Sequence, residues 1–379
     1  MKRSTDRVLT THTGSLPRPP ALLQELIRRD RGERVDTAAL DARVREAVAD
    51  SVSRQGRAGI AVVNDGEAGK IGYSTYVAER LDGFGGEAEP PGPPTDMLEF
   101  PDYLARESSD DGGGPAMPAC DGPIAYRDTG AVRADIDALR RALDGVAVED
   151  AFLSAASPGV VAFFLADRHY GDHEAYLLAI ADAMKVEYDE IHRGGLVLQL
   201  DCPDLALTRH RIGAESVEDF RRFVRLHVEA INHATRDIPS EAMRMHVCWG
   251  NYEGPHHHDV PLRDIVDIVL EARPAAISFE AANPRHAHEW TVFEDVPLPD
   301  GKVLIPGVLD TTTNYIEHPE LVAQRIVRYA RLVGRENVIA GTDCGFASFA
   351  ASSSVDPAIV WAKLAAMADG AALATQELW

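Results

Sequence analysis

The chain has 379 residues, and 60 Asp and Glu against 38 Lys and Arg leave a formal charge of −22. That length suits one large α/β barrel or two ordinary domains, and acidic residues spread along the chain make nucleic acid and anionic membrane poor partners. MKRSTDRVLTT opens without a secretory apolar run and no membrane span is expected elsewhere, so the reading is a cytoplasmic protein. In that compartment its cysteines, Cys120, Cys202, Cys248 and Cys344, serve packing, metal or catalysis rather than disulfides.

In chain order, VLTTHTGSLPRP predicts a short strand over Arg7 to His12 that runs into a Gly/Pro turn. ALLQELIRR and TAALDARVREAVADSVSRQGRAG predict two helices, the second long and amphipathic. IAVVND predicts a buried strand ending at Asp65, Gly66 and Glu67. Residues 83–120, rich in Gly, Pro and acid and without sustained periodicity, read as an irregular excursion from one scaffold and not as a second domain. GPIAYRD predicts a short strand returning the chain to that scaffold, ADIDALRRALDG a helix, and VAVEDAFLSAASPG a strand with serines at its end.

The rhythm is regular from there. HEAYLLAIADAMKVEYDEIHRGG is helix, LVLQLD strand, ESVEDFRRFVRLHVEAINHAT helix and AMRMHVC strand. DIVDIVLEA is helix and AAISFE strand. KVLIPGVLD is strand, HPELVAQRIVRYARLVG helix, VIAGTD strand and DPAIVWAKLAAMADGAALAT the closing helix. Between Phe279 and Lys302 the helical signal is weak. Roughly eight short apolar strands alternating with helices predict a single (β/α)8 TIM barrel over 1–379, and no G-x-G-x-x-G follows the first strand to suggest an open dinucleotide-binding sheet. His12, Asp65, Glu67, Ser154, Asp201, His246, Cys248, Glu280, Asp310, Asp343 and Cys344 then share the rim at the strands' carboxyl ends, where such barrels place their chemistry.

His246 and Cys248 sit two apart at the end of a strand, so their side chains face one point. Glu280 ends AAISF among apolar neighbours, where an unpaired carboxylate is costly, and Cys344 ends another strand. Two thiols and an imidazole favour zinc over magnesium or calcium, and the carboxylate is the ligand most easily displaced by an incoming thiol. Zinc holds such a thiol as the thiolate, so the set reads as a site for alkylating sulfur. Cys202 follows Asp201, points the other way and is read as core; Cys120, in the excursion, is read as chemically idle, with lining the pocket from above as the alternative. His256, His257 and His258 read as a solvated turn, with a metal or substrate role as the alternative. Arg18 is a candidate for bidentate anion binding or for capping the barrel surface.

Taken together, THTGSLPRP, VVNDGE, VLQLDCPDLA, HVCWGNYEG, ISFEAANPR and IAGTDCGF resemble the catalytic barrel of the cobalamin-independent methionine synthases and their single-barrel relatives. The resemblance implies that His246, Cys248, Glu280 and Cys344 match the zinc ligands. It also implies that Ser15, Glu67 and Asp201 hold the amino-acid part of a small thiol, homocysteine in the family. The second, amino-terminal barrel of the full-length enzymes has no counterpart here, and Thr312 stands where the family carries a histidine that protonates the leaving nitrogen. Threonine is no general acid near neutral pH. The alkyl donor is therefore open between methyl-tetrahydrofolate, methylcobalamin and an epoxide, the last being the substrate of relatives that use coenzyme M. His12 and Asp310 are the candidate catalytic groups, His12 as proton donor to an alkoxide. A non-catalytic zinc or thiol-binding protein is the alternative outside enzymes, and a homo-oligomer is compatible with the chain.

Overall fold

The computed structural model describes residues 1–73, 75–107, 117–207, 209, 212–348 and 354–379. Its central sheet has seven parallel strands in chain order: β1 (Val62–Val63), β2 (Asp150–Ala156), β3 (Val197–Asp201), β4 (Met243–Val247), β5 (Ala276–Phe279), β6 (Val303–Leu309) and β7 (Gly341–Thr342). The segment expected as the first strand is reduced to a single bridge between Thr10 and Ala340. It nevertheless joins the two edges of the sheet. Thr11 N donates to Ala340 O at 2.8 Å and Ala340 N to Leu9 O at 2.9 Å, while Ala61 N and Val62 N both donate to Thr10 O, at 3.0 and 2.9 Å. The sheet thus curls round on itself, and the expected (β/α)8 architecture is observed with a minimal first strand.

Helices begin where short polar side chains can cap them. Asp36, Asp172 and Ser216 accept from Ala39 N, Ala175 N and Asp219 N at the starts of Thr37–Arg57, His173–Arg193 and Val217–Ala234, satisfying donors that a helix leaves open. The closing helix Pro357–Leu378 is long and apolar enough to cross a membrane by length and composition, contrary to the expectation that no such stretch exists. It packs instead on the barrel's outer layer: a Cβ on Gly370 would lie 2.4 Å from Val322 in the neighbouring helix, so glycine permits the close approach.

The strand register explains the interior. Phe152 pairs with Val197, Gln199 with Arg244, and Asp201 with His246, which in turn pairs with Ser278. One interior layer is apolar, built by Leu9, Val62, Phe152, Val197, Ala276, Val303, Ile305 and Ile339. Gln199 and Ser278 stand two residues beyond Val197 and Ala276, Arg244 pairs with both Gln199 and Ala276, and farther along their strands come Asp201, His246 and Glu280, all buried. Period-two alternation therefore lifts polar groups in steps toward the carboxyl rim.

The excursion is more ordered than expected. Gly86–Ala88 pairs antiparallel with Met117–Ala119, and helices span Thr95–Leu98 and Pro101–Glu107. Ala125–Tyr126 pairs with Leu81–Asp82 and not with the barrel, because the chain turns back on the excursion before it re-enters the sheet. Of the expected excursion, 108–116 lie outside the described residues.

Candidate functional site

A cavity of about 280 Å³ opens at the carboxyl rim. His246, Cys248 and Cys344 form its floor; one ligand atom from each lies within 4.8 Å of the others. The two sulfurs are 3.5 Å apart although 96 residues separate them in the chain. On His246, Nδ1 faces the Ser278 hydroxyl at 3.2 Å, whereas Nε2 is buried without a hydrogen-bond partner. In the tautomer where Nδ1 donates to Ser278, Nε2 presents a lone pair. Burial, followed by the charge of Arg244, holds the His246 pKa down at about 3, so the ring is neutral. The neighbouring thiol of Cys344, then burial, pushes the Cys248 thiol up. An orphaned imidazole nitrogen beside two buried thiols suits a tetrahedral, borderline-soft cation such as zinc.

Glu280, expected as the fourth ligand, is outside both this three-residue group and the cavity lining, and it is already engaged. Its Oε1 accepts from Trp249 N at 2.8 Å, and its Oε2 from Asn283 Nδ2 at 2.8 Å and Arg285 at 2.6 Å. Asp343 pins the same corner, accepting from Ala281 N, Ala282 N, Asn283 N and Asn283 Nδ2 at 2.7–2.8 Å. The strand ends that carry Glu280 and Cys344 are thereby tied together. Burial and the charge of Glu280 raise Asp343 to about 6.

The cavity wall includes Ser15, Glu67 and Asp201. Burial pushes the Asp201 carboxyl well up, with the charge of Glu67 adding to it. Burial also raises Glu67, against the pull of Lys70 and Arg18. Glu67 has φ 54°, a left-handed conformation unusual for a residue with a side chain, and its Oε2 has no hydrogen-bond partner. Two buried acids share one wall, and among the described lining residues there is no Lys or Arg. Such a wall favours a cationic group on the ligand.

Besides Glu280, three expected site residues lie outside the cavity lining. The His12 side chain does not line the cavity: its Nε2 meets Gln55 Oε1 at 2.8 Å, its ring packs edge-on against Phe152, and burial lowers its pKa to about 4. A neutral imidazole turned toward helix Thr37–Arg57 is no proton donor to the cavity. Asp310 is also outside the lining and caps its own loop, accepting from Thr312 N at 2.7 Å, Thr312 Oγ1 at 2.9 Å and Thr313 N at 3.1 Å. Arg18 donates to Ala347 O and Glu67 O, both at 2.9 Å; its guanidinium braces two backbone segments and is not offered to an anion.

Cys202 is buried away from the cavity, as expected; Cys120 is buried too and does not line the cavity. Of the histidine run, His256 is buried, against the solvated-turn reading, while His257 and His258 face solvent. The sequence reading did not pick out Tyr73, Phe164, Leu207, Asn251 and Tyr252, which complete the wall. Tyr252 and Asn251 belong to HVCWGNYEG and were within reach; Tyr73 and Phe164 sit in connections after β1 and β2 that carry no periodic signal.

Residues 165–371 match the family model described as "Cobalamin-independent synthase, Catalytic domain". Over 374 residues the chain is 23% identical to methionine synthase of Saccharolobus solfataricus, covering 97% of this chain and 95% of that protein. It is 25% identical to the uncharacterized protein YxjH of Bacillus subtilis, spanning 52% of this chain and about half, 53%, of YxjH. It is 28% identical to 2-hydroxypropyl-CoM lyase of Xanthobacter autotrophicus over 143 residues, 31% of this chain and 38% of that one. In fold it is similar to the B12-independent methionine synthase from Shewanella sp. W3-18-1 in complex with selenomethionine, with TM-score 0.75, 19% identity and coverage of 98% and 99%.

Proposed function

The chain belongs to the family of cobalamin-independent synthase catalytic domains, and from that premise we propose that it is a single-domain, zinc-dependent S-alkyltransferase that methylates homocysteine or a similar small amino thiol. His246, Cys248 and Cys344 would hold the metal, with Glu280 as the displaceable fourth ligand. The observation that carries the reading is the unpartnered Nε2 of His246, buried beside the paired sulfurs of Cys248 and Cys344.

Held by His246, Cys248 and Cys344, zinc would supply an ionised, positioned thiolate as nucleophile. The chain's own residues do the rest. Ser278 fixes the His246 ring, and Trp249 N, Asn283 and Arg285 hold Glu280. Glu67 and Asp201 take the substrate ammonium, which relieves the cost of two buried acids facing one space. Tyr73, Phe164, Leu207 and Tyr252 give the cavity its apolar wall and keep water from the sulfur.

The similarity to the CoM lyase raises a second reading, an epoxide-opening transferase. A sulfonate-bearing thiol would need a cation in the wall, and the described lining has acids there instead. The test is an activity matrix on zinc-loaded protein: homocysteine and coenzyme M, each against methyl-tetrahydrofolate, methylcobalamin and an epoxide. S-methylation of homocysteine with either methyl donor supports the proposal. Turnover of coenzyme M alone selects the second reading, and full zinc retention in Cys248→Ser and Cys344→Ser removes the metal site.

A further inference from the structure

The loop 249–259, which lines the cavity through Gly250, Asn251 and Tyr252, carries a second set of metal-type ligands on its outer side. His257 Nε2 donates to Glu99 Oε2 at 3.0 Å, and His258 Nε2 to Glu99 Oε1 at 2.5 Å. One ligand atom from each of the three lies within 4.8 Å of the others. Neighbouring side chains in extended backbone point apart; here the two imidazole centroids are 4.2 Å apart and tilted by 37°. The turn preceding them allows it. His256 sits at φ 54°, held by a stack on Tyr252 at 3.9 Å and by bonds to Asp259 and to Tyr252 O.

Glu99 comes from the excursion, between helices Thr95–Leu98 and Pro101–Glu107. The same stretch touches the loop at other points. Tyr103 donates to Glu253 O, Tyr252 OH lies 3.3 Å from Asp96 Oδ2, and Phe100 packs edge-on to His257. A depression of about 290 Å³, lined by Thr95, Arg209, Asp259 and both histidines, adjoins the three ligands and leaves room for coordinating water. Two imidazoles and one carboxylate with water in the remaining position is a zinc-type set.

We propose that Glu99, His257 and His258 form a second, solvent-facing site for a borderline divalent cation such as zinc, which clips the excursion to the loop bearing Tyr252. The site is independent of the buried thiols. Occupancy would fasten one wall of the cavity in place, so ambient metal would tune how readily that wall opens.

The experiment uses untagged full-length protein. Zinc is titrated in competition with a chromogenic chelator, and cobalt is used as a spectroscopic substitute. Wild type should bind a second, weaker equivalent of zinc, and cobalt there should add no thiolate-to-metal band. In Glu99→Ala/His258→Ala the weak equivalent should be lost while the thiolate band remains. Zinc should slow hydrogen exchange in 95–104 and 252–258 of wild type and not of that variant. Cys248→Ser/Cys344→Ser should lose the thiolate band and keep the weak equivalent, so the two sites fail separately. A wild type with no second equivalent, or a Glu99→Ala/His258→Ala variant that binds it undiminished, overturns the proposal.

Discussion

Trp249 N donates to Glu280 Oε1 at 2.8 Å, one residue beyond Cys248. The backbone that carries a thiol is thus bonded to the carboxylate proposed as its fellow ligand, and Arg285 and Asn283 hold the other oxygen of that carboxylate. A carboxylate with three donors in place contributes less to metal binding than the thiolates. Glu280→Gln should weaken zinc and still leave it bound, whereas Cys248→Ser should leave the buried site without zinc after dialysis against a mild chelator. Metal content by mass spectrometry of the two purified variants checks the order.

Glu67 and Asp201 predict a substrate signature. Because burial raises both carboxyls, their ionised forms cost stability above the folded pKa values. Without ligand, this pair should favour folding more as pH falls from neutral toward the ordinary carboxylate range. An ammonium between them removes the cost. Homocysteine should therefore raise the melting temperature at pH 7.5, and 4-mercaptobutyrate, which lacks the amine, should not. Asp201→Asn should raise the Kd for homocysteine by about 10–100-fold, or roughly 1.4–2.7 kcal/mol, with zinc content unchanged. Equal shifts from both thiols would count against the ammonium pocket.

His286 sets an alkaline limit. Burial alone would lower its pKa, but bonds to Asp259 and Glu289 lift it to about 9. A group whose folded pKa is raised stabilises fully below its unfolded value and loses that contribution as pH climbs through the folded one. The window is then pH 6.5 to 9, and the loss is at most roughly 3 kcal/mol. Urea midpoints should fall across that window in wild type and less so in His286→Asn.

Gly14 has φ 150°, and a Cβ there would lie 2.5 Å from Glu67 Oε1 and 2.8 Å from Ser154 Oγ. Gly14→Ala should cost about 1–3 kcal/mol and push the Glu67 carboxylate from its place. Chemical denaturation and the homocysteine Kd should worsen together; a stable variant with unchanged affinity would show that the wall tolerates the shift.

Much of this arrangement was legible in the residues. His246 and Cys248 read as one face of one strand because period two is a local rule, and Cys344 read as a partner because strand ends converge in a barrel. Such reasoning places a residue on a rim without saying which way its side chain turns there. His12 and Asp310 share the rim, yet one turns outward to Gln55 and the other folds back on Thr312. Those choices depend on partners distant in sequence or on a local cap, and neither has a period. Tyr73 and Phe164 come from connections whose path is set by packing. The excursion concealed its short strands because a three-residue pairing such as Gly86–Ala88 with Met117–Ala119 is too brief to register as alternation.

The contact of Leu9, Thr10 and Thr11 with both Val62 and Ala340 has a bearing on biosynthesis. Thr13 and Ser15, a few residues on, line the cavity, as do Cys344 and Gly345 from near the other end. The ring cannot shut until residue 340 has left the ribosome, so a nascent chain carries exposed sheet edges until then. The pocket matures only when segments 9–15 and 340–345 meet, and loss of either should yield an aggregation-prone product before it yields a weakened enzyme.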